Sequence, residues 1–278
     1  MPLASATENK AIYTDLHDRI IEKRFQAQSP IRRYAHHTQY DAFIELIPPG
    51  STVVDAGCGE GVLSVLLAKH GCIVTGIDLS EPNVAAAKKY AEEQGVADRT
   101  TFLVGDAENL PVADKSFDYA VSSHVLEHLP DFQKGAAELS RIAAKRVIVA
   151  IPTCLNPAAT VLLGQDKYWS FSRRTPYAFF VGLWRIISHF VRGEEGVNEG
   201  YAGRSDLIHI WRFPWRGKER LNRANMRVIN YRGSSYIFPY FPFLIPASKF
   251  LLTMRWWPVI RNLGYGTTYV CEPLNAVK

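Results

Sequence analysis

Short runs of apolar, β-branched residues alternate along the middle of the chain with stretches whose apolar positions recur every three or four residues. Ser51–Asp55 (STVVD), Cys72–Asp78 (CIVTGID), Thr101–Val104 (TFLV), Phe117–Ser122 (FDYAVS) and Arg146–Ile151 (RVIVAI) read as strands, the last stopped by Pro152. Between them, Gly61–His70 reads as a helix closed by Gly71. Asn83–Gln94 reads as one entered through Ser80-Glu81-Pro82 and stopped by Gly95, and Asp131–Ala144 as a third. Strands alternating with helices in this way predict an α/β fold with a parallel sheet covered on both faces. Right-handed crossovers then gather the C-terminal ends of the strands, and any ligand, along one edge.

Outside residues 49–152 the pattern changes. Residues 1–48 read as a polar, helical cover ending at Pro48-Pro49-Gly50. Residues 153–208 are rich in aromatics and glycines and read as an insertion or lid. Within it Thr175-Pro176 opens a helix (PYAFFVGLWRIISHFVR) that is apolar on nearly every side. Residues 209–278 return to the core pattern with a short helix, KERLNRA, and a strand, MRVINYR. An aromatic, basic stretch follows at 236–260, and Thr267–Cys271 (TTYVC) forms a last strand. Pro239, Pro242 and Pro246 prevent 236–260 from being one continuous spanning helix.

Composition narrows the class. A hydrophobic content of 47% and a charged content of 21% are those of a folded globular chain and exclude a disordered one. The four cysteines, Cys58, Cys72, Cys154 and Cys271, form no C-x-x-C pair, which argues against a zinc site or a disulfide framework and fits a reducing cytoplasm. The N-terminal MPLASATENK lacks the basic start and apolar run of a secretory signal. The net charge of +5 is uneven: residues 201–262 hold eleven Lys and Arg but two acids, Asp206 and Glu219, which suggests an anionic partner there.

The chemistry concentrates first in Val53-Val54-Asp55-Ala56-Gly57-Cys58-Gly59-Glu60-Gly61, a strand running into a glycine-rich loop and then a helix. Glycines there permit positive φ and let a ligand lie against bare backbone. The loop is GxGxG, not GxGxxG, and lacks the GK[ST] of a P-loop. Asp55 stands at the strand end, where a pyrophosphate would be repelled and a ligand carrying an ammonium and a sulfonium favoured. A second acid, Asp78, ends the next strand and can accept the hydroxyls of a ribose. Asp106, just past the third strand and followed by Ala107, suits an adenine amino group.

Taken in order, VVDAGCGEG, GIDLS, GDAENLPVADKSFDYAVS and SSHVLEHL resemble the class I S-adenosylmethionine-dependent methyltransferases, in the branch acting on small molecules and lipids. The resemblance covers about residues 50–152 and returns weakly at His209-Ile210-Trp211-Arg212-Phe213. It implies a Rossmann-like sheet of seven strands, mostly parallel, with an antiparallel last strand that TTYVC would supply. It also implies S-adenosyl-L-methionine as cofactor. Asp55, Gly57, Cys58 and Gly59 would surround its methionine part, Asp78 and Leu79 its ribose with Ser80 nearby, and Asp106 and Ala107 its adenine. Ser123 and His124 would close the other side.

An oxygen acceptor also needs a base, and histidine titrates in the right range. His209, where the insertion rejoins the core, is the first candidate and His124 the second. Cys58 reads as a small residue in a tight loop, and His128 as structural. Glu127 is placed on a solvated face, because adjacent helical residues point apart. His36 and His37, with Tyr34 and Tyr40, lie in the helical cover, at least one histidine on its outer surface. No His/Cys/Asp cluster has metal-ligand spacing, so no metal is expected.

The aromatic stretches 176–191 and 236–260 read as a lid over a hydrophobic or lipid-like acceptor, as a peripheral membrane contact, or as a buried cap or homodimer contact. Methyl transfer by direct displacement to such an acceptor, on oxygen or nitrogen, is therefore the expected function. The rivals are a nicotinamide-dependent oxidoreductase, a nucleic-acid methyltransferase, for which no recognisable module is present, and a non-catalytic cofactor-binding protein. The expected location is the cytoplasm, with the membrane surface as the alternative.

Overall fold

The structure, a computed structural model, describes residues 3–15, 17, 19–200 and 204–274. Three helices precede the sheet: α1 (Ala6–Thr14), α2 (Pro30–Thr38) and α3 (Asp41–Leu46), with a single π turn at Ile21–Phe25. The start of α1 is set by a capping box in which Ser5 and Glu8 satisfy each other's backbone N–H. Ser29 caps α2, whose first residue is Pro30.

The central run is β1 (Thr52–Ala56), α4 (Val62–Lys69), β2 (Ile73–Asp78), α5 (Glu81–Glu93), β3 (Thr100–Val104), β4 (Phe117–Ser123), α6 (Phe132–Ile142) and β5 (Ala143–Pro152). After it come α7 (Pro157–Leu163), α8 (Thr175–Val191), β6 (Gly196–Asn198), β7 (Ile210–Arg212), α9 (Pro214–Asn222), β8 (Met226–Ser234), α10 (Ile245–Thr253) and β9 (Gly266–Pro273).

Seven strands form one sheet in the order β3-β2-β1-β4-β5-β9-β8. The β1–β2, β2–β3, β1–β4 and β4–β5 pairs are parallel, while β9 runs antiparallel to both β5 and β8. The expected Rossmann-like architecture is thus present, with the last strand in the antiparallel place. The order reverses between β1 and β4, and this switch point opens a crevice beyond the strands' C-terminal ends.

Alternation along β1 shows how both faces are filled. Val54 and Ala56 belong to one core cluster, with Phe132, Leu139 and Leu221 from α6 and α9. Val53 belongs to the other, with Phe43, Leu63, Leu67 and Ala87 from α3, α4 and α5.

Two features of the second half differ from the sequence expectation. A domain boundary between residues 208 and 209 cuts through a unit, because β6 from the insertion pairs antiparallel with β7 from the return, register Val197↔Trp211. His209 therefore stands at the edge of a small two-stranded sheet, not in the main one. The apolar helix α8 is also turned inside out. Its buried residues are mostly small, Thr175, Ala178 and Gly182 with Ile186, while Tyr177, Phe180, Trp184 and Val191 point outward at roughly 70% exposure or more. The inner face is pressed against α7 by backbone contact. A Cβ on Gly182 would sit 1.8 Å from Thr160 O, and one on Gly164 1.8 Å from Ala178 O. Among the described residues no helix is long and apolar enough to cross a membrane.

Candidate functional site

The turn from β1 to α4 is where strand geometry becomes a binding surface. Gly57 has φ +76° and Gly59 φ +54°, so successive N–H groups are re-aimed out of the ladder. Gly57 N and Cys58 N donate to Ile77 O at 2.7 and 3.1 Å, and Gly59 N donates to Asp78 Oδ2 at 2.8 Å. The other carboxylate oxygen of Asp78 accepts from Ser80 N at 2.9 Å. One acid at the tip of β2 thereby fixes both the glycine loop and the start of α5. A side chain at Gly57 would meet Val125 Cγ2 at 2.3 Å, so position 57 admits only glycine without rearrangement.

This turn forms one wall of a cavity of about 640 Å³, within the range of about 300–1,000 Å³ common for small-molecule sites. Gly57, Cys58, Gly59, Asp78 and Leu79 lie on that wall, and Asp106, Ala107, Ser123 and His124 continue it along the switch-point edge. Two residues expected here do not face the cavity. Asp55 is buried behind the loop, where its carboxylate accepts from Ser64 Oγ at 2.7 Å. Burial, reinforced by the charge of Asp78, pushes its carboxyl up to about 7. Ser80 is buried and caps α5, accepting from Asn83 N. Cys58 reaches the wall, but burial and the neighbouring acids raise its thiol far above the ordinary value, so it is no nucleophile.

The Asp106 end of the wall is covered. Lys10 from α1 reaches Asp106 Oδ2 and Glu108 Oε2, both at 2.7 Å, and Glu108 N donates to Asp106 Oδ1 at 2.8 Å. Burial opposes ionisation of Asp106, but the bonds to Lys10 and to the Glu108 amide outweigh it and hold the carboxyl below its usual range. Deeper along the cover, His17 pairs with Glu60 at 2.7 Å and Ile21 N donates to the same carboxylate at 2.8 Å, tying the π turn to the glycine loop.

Histidines and carboxylates face this wall. His209 Nδ1 lies 3.1 Å from Glu199 Oε2, and Trp211 Nε1 donates to that same oxygen at 2.6 Å. His124 leaves β4 with φ +58°, a left-handed conformation for a non-glycine residue, and its Nδ1 lies 3.3 Å from Glu127 Oε1. His128 sits between the two pairs: its ring stacks on His209 with centroids 4.4 Å apart, and its Nδ1 is 2.9 Å from Tyr13 Oη.

The placement of Glu127 corrects the solvated-face expectation. Residues 126–128 form a turn rather than a helix, and Glu127 is buried at 1% exposure beneath the cavity. Burial disfavours its charge, but His124, with Nδ1 3.3 Å away, outweighs it and holds the carboxyl below its ordinary range. Burial, with His209 alongside, pushes His128 down to about 3, so it is neutral at physiological pH.

Glu127, His128 and His209 place possible ligand atoms within 4.8 Å of one another. The two imidazole planes are nearly parallel, at 13°, so their in-plane lone pairs cannot converge on a single ion. The arrangement suits proton handling better than metal binding.

The helical cover supplies the remaining wall. His36 faces inward and is buried, and burial together with Arg24 and Arg32 holds it well below its normal pKa. His37 is exposed, packed edge-on against Phe25. Arg24 and Arg32 both line the cavity and make no ion pair among the described residues; Arg32 stacks over Trp169 at 4.4 Å. Sequence reading missed Glu199, Arg24, Arg32 and Trp169, since no motif links residues so far apart in the chain. The basic excess of 201–262 is largely consumed internally. Arg204, Arg212, Arg216 and Arg220 pair with Asp206, Glu195, Glu219 and Glu195, while Arg227 pairs with Glu272 and both Arg232 and Arg255 with Glu45.

Residues 54–151 match the family described as a methyltransferase domain. The chain is 41% identical over 152 residues to a probable chloroplastic tocopherol O-methyltransferase of Oryza sativa subsp. japonica, a match covering 53% of this chain and 41% of that one. It is 44% identical over 85 residues to a ubiquinone biosynthesis O-methyltransferase of Coxiella burnetii, covering 31% of this chain and 36% of that one. These matches span about two fifths of each relative's length. In fold it is similar to the crystal structure of Burkholderia thailandensis 1,6-didemethyltoxoflavin-N1-methyltransferase, with a TM-score of 0.55 and 16% identity, over 99% of this chain and 93% of the other.

Proposed function

From the premise that residues 54–151 are a class I S-adenosylmethionine-dependent methyltransferase domain, we propose that the chain transfers a methyl group from S-adenosylmethionine to a hydrophobic or lipid-like small acceptor bearing a hydroxyl. The observation that carries this reading is the convergence of the Gly57–Gly59 loop, Asp78, Asp106 and the His209–Glu199 pair on one cavity.

The residues fit the donor. Bare backbone at Gly57 and Gly59 accepts its methionine portion, Asp78 its ribose and Asp106 its adenine. Arg24, without an acidic partner among the described residues, meets a carboxylate. The donor brings a methyl group already activated by a sulfonium, so the protein's part is placement, exclusion of water and removal of one proton. Glu199 accepts from His209 Nδ1, which fixes the tautomer with the basic lone pair on Nε2. As the acceptor oxygen bonds to the methyl carbon and the carbon–sulfur bond breaks, the hydroxyl proton passes to that nitrogen. Trp211 holds Glu199 in place, and His124, backed by Glu127, is the second group within the same cavity able to take the proton. Tyr168, Trp169, Trp211 and Tyr265 give the acceptor end an aromatic lining. Two relatives are named as O-methyltransferases, of tocopherol and of ubiquinone biosynthesis, which supports a hydroxyl as the group methylated.

Incubation with methyl-labelled donor and a panel of hydroxylated aromatic and prenylated compounds tests the proposal, beside calorimetry with S-adenosylhomocysteine and with NAD. Label in an organic-extractable product and heat with the adenosyl compound alone are expected. Tight NAD binding without adenosylhomocysteine binding would overturn the reading.

A further inference from the structure

Among the described residues, sixteen of the twenty-two exposed large apolar side chains fall in residues 167–193 and 236–263, so the apolar surface is concentrated on two segments. These segments are stitched together: Tyr240 N donates to Tyr168 O at 3.0 Å, and the rings of Phe171 and Tyr240 meet edge-to-face at 5.3 Å. Along α8 the outer stripe is Tyr177, Phe180, Trp184 and Val191; in the other segment Phe243, Phe250, Trp257 and Val259 are more than 60% exposed.

Loose packing does not account for this surface. The Gly182 and Gly164 contacts bring the backbones of α7 and α8 together, which leaves the large residues of α8 no inward direction. The charge on the two segments has one sign. They contain eight Lys or Arg and no Asp or Glu; Lys167, Arg173 and Lys249 are exposed with no ion pair among the described residues, while Arg174 has Asp166 as its acidic neighbour at the segment's edge. Aromatic and aliphatic side chains beside unpaired cations complement a bilayer with anionic headgroups: the rings enter the interface and the cations meet phosphate. A second copy of the chain would bring the same cations against each other.

We propose that the outer face of α8 together with residues 236–263 docks on an anionic membrane surface. The face adjoins the acceptor end of the cavity. Trp169, two residues from Phe171, lines both the cavity and an outer depression formed with Lys23, Gln28 and Ser170, and Arg32 stacked upon it does the same. The Arg32–Trp169 pair is thus the portal through which a membrane-dissolved acceptor enters. The docking itself does not depend on methyl transfer; only the portal rests on that reading.

The test is flotation of the full chain with phosphatidylcholine vesicles, with and without phosphatidylglycerol, over a range of salt. Binding is expected only with the anionic lipid and is expected to fall as salt rises. Trp184→Ser and Trp257→Ser should each lower partitioning by about tenfold, and Arg173→Glu with Lys249→Glu should abolish it. Ile229→Ser, an exposed apolar residue outside the face, should change nothing. Tryptophan quenching by lipids brominated in the acyl chain should report insertion. Wild-type protein that fails to float, or a stable dimer dissociated by Trp184→Ser, overturns the docking. Adenosylhomocysteine binding measured on the same preparations reports separately on the methyltransferase reading.

Discussion

The two walls of the cavity are built in different ways. On the donor wall the contacts are mostly backbone: a left-handed turn at Gly57 and Gly59, braced by Asp78 within one β-α-β unit. On the acceptor wall they are side chains drawn from α2, the turn at residues 127–128, the β6–β7 ribbon and Tyr265 just before β9. On the proposed function, a donor common to many enzymes can have its wall encoded in short local motifs, whereas an acceptor particular to one enzyme has its wall assembled from residues distant in sequence.

The sharpest way to break the donor wall is Gly57→Ala. The added Cβ meets Val125 at 2.3 Å in a backbone with φ +76°, and adenosylhomocysteine binding by calorimetry is expected to disappear. Gly50→Ala is the control. It also has positive φ, at +81°, but nothing lies within 4 Å, so it should cost about 1 kcal/mol and leave binding intact.

On the acceptor wall the largest expected effect belongs to His209→Gln. It should lower kcat by about 10²–10⁴-fold without changing donor affinity. Glu199→Gln leaves the imidazole in place but loosens its tautomer. A loss of about tenfold, with the pH–rate profile displaced, would set it apart from a merely structural residue.

The smallest effect concerns Asp55, behind the donor wall. Its carboxyl is raised to about 7 in the folded chain, so the folded state holds its proton over a pH range where the unfolded state has lost it. The stability of the donor-free protein should therefore fall as pH rises from about 4 to about 7. Asp55→Asn should remove that slope, raising the melting temperature by a few degrees above neutrality and leaving it unchanged near pH 4. Melting curves across this range decide it; a rise in wild-type stability over the same interval would reverse the assignment.

The same contrast explains what could be read in advance. The strand and helix pattern of residues 51–152 is local, and the parallel sheet and the glycine loop were legible in it; the antiparallel last strand followed only from the family resemblance. His209 was legible as a candidate because it stands where the insertion rejoins the core, but its partner Glu199 lies across a two-stranded ribbon that no motif announces. Glu127 was misplaced because VLEHL looks helical, whereas the chain turns there and buries the acid under three imidazoles. Helix α8 misleads for a related reason. Its all-round apolar sequence does not disclose which face is buried, and Ala178 and Gly182, by permitting close backbone contact, turn the aromatics outward.

The central claim is that a donor-binding wall and a proton-accepting wall share one cavity and divide the work. Paired titrations and single-turnover assays on His209→Gln test it most directly. Adenosylhomocysteine should bind as it does to the wild type while methyl transfer to the acceptor falls at least a hundredfold. Equal loss of binding and transfer, or transfer at the wild-type rate, would contradict it.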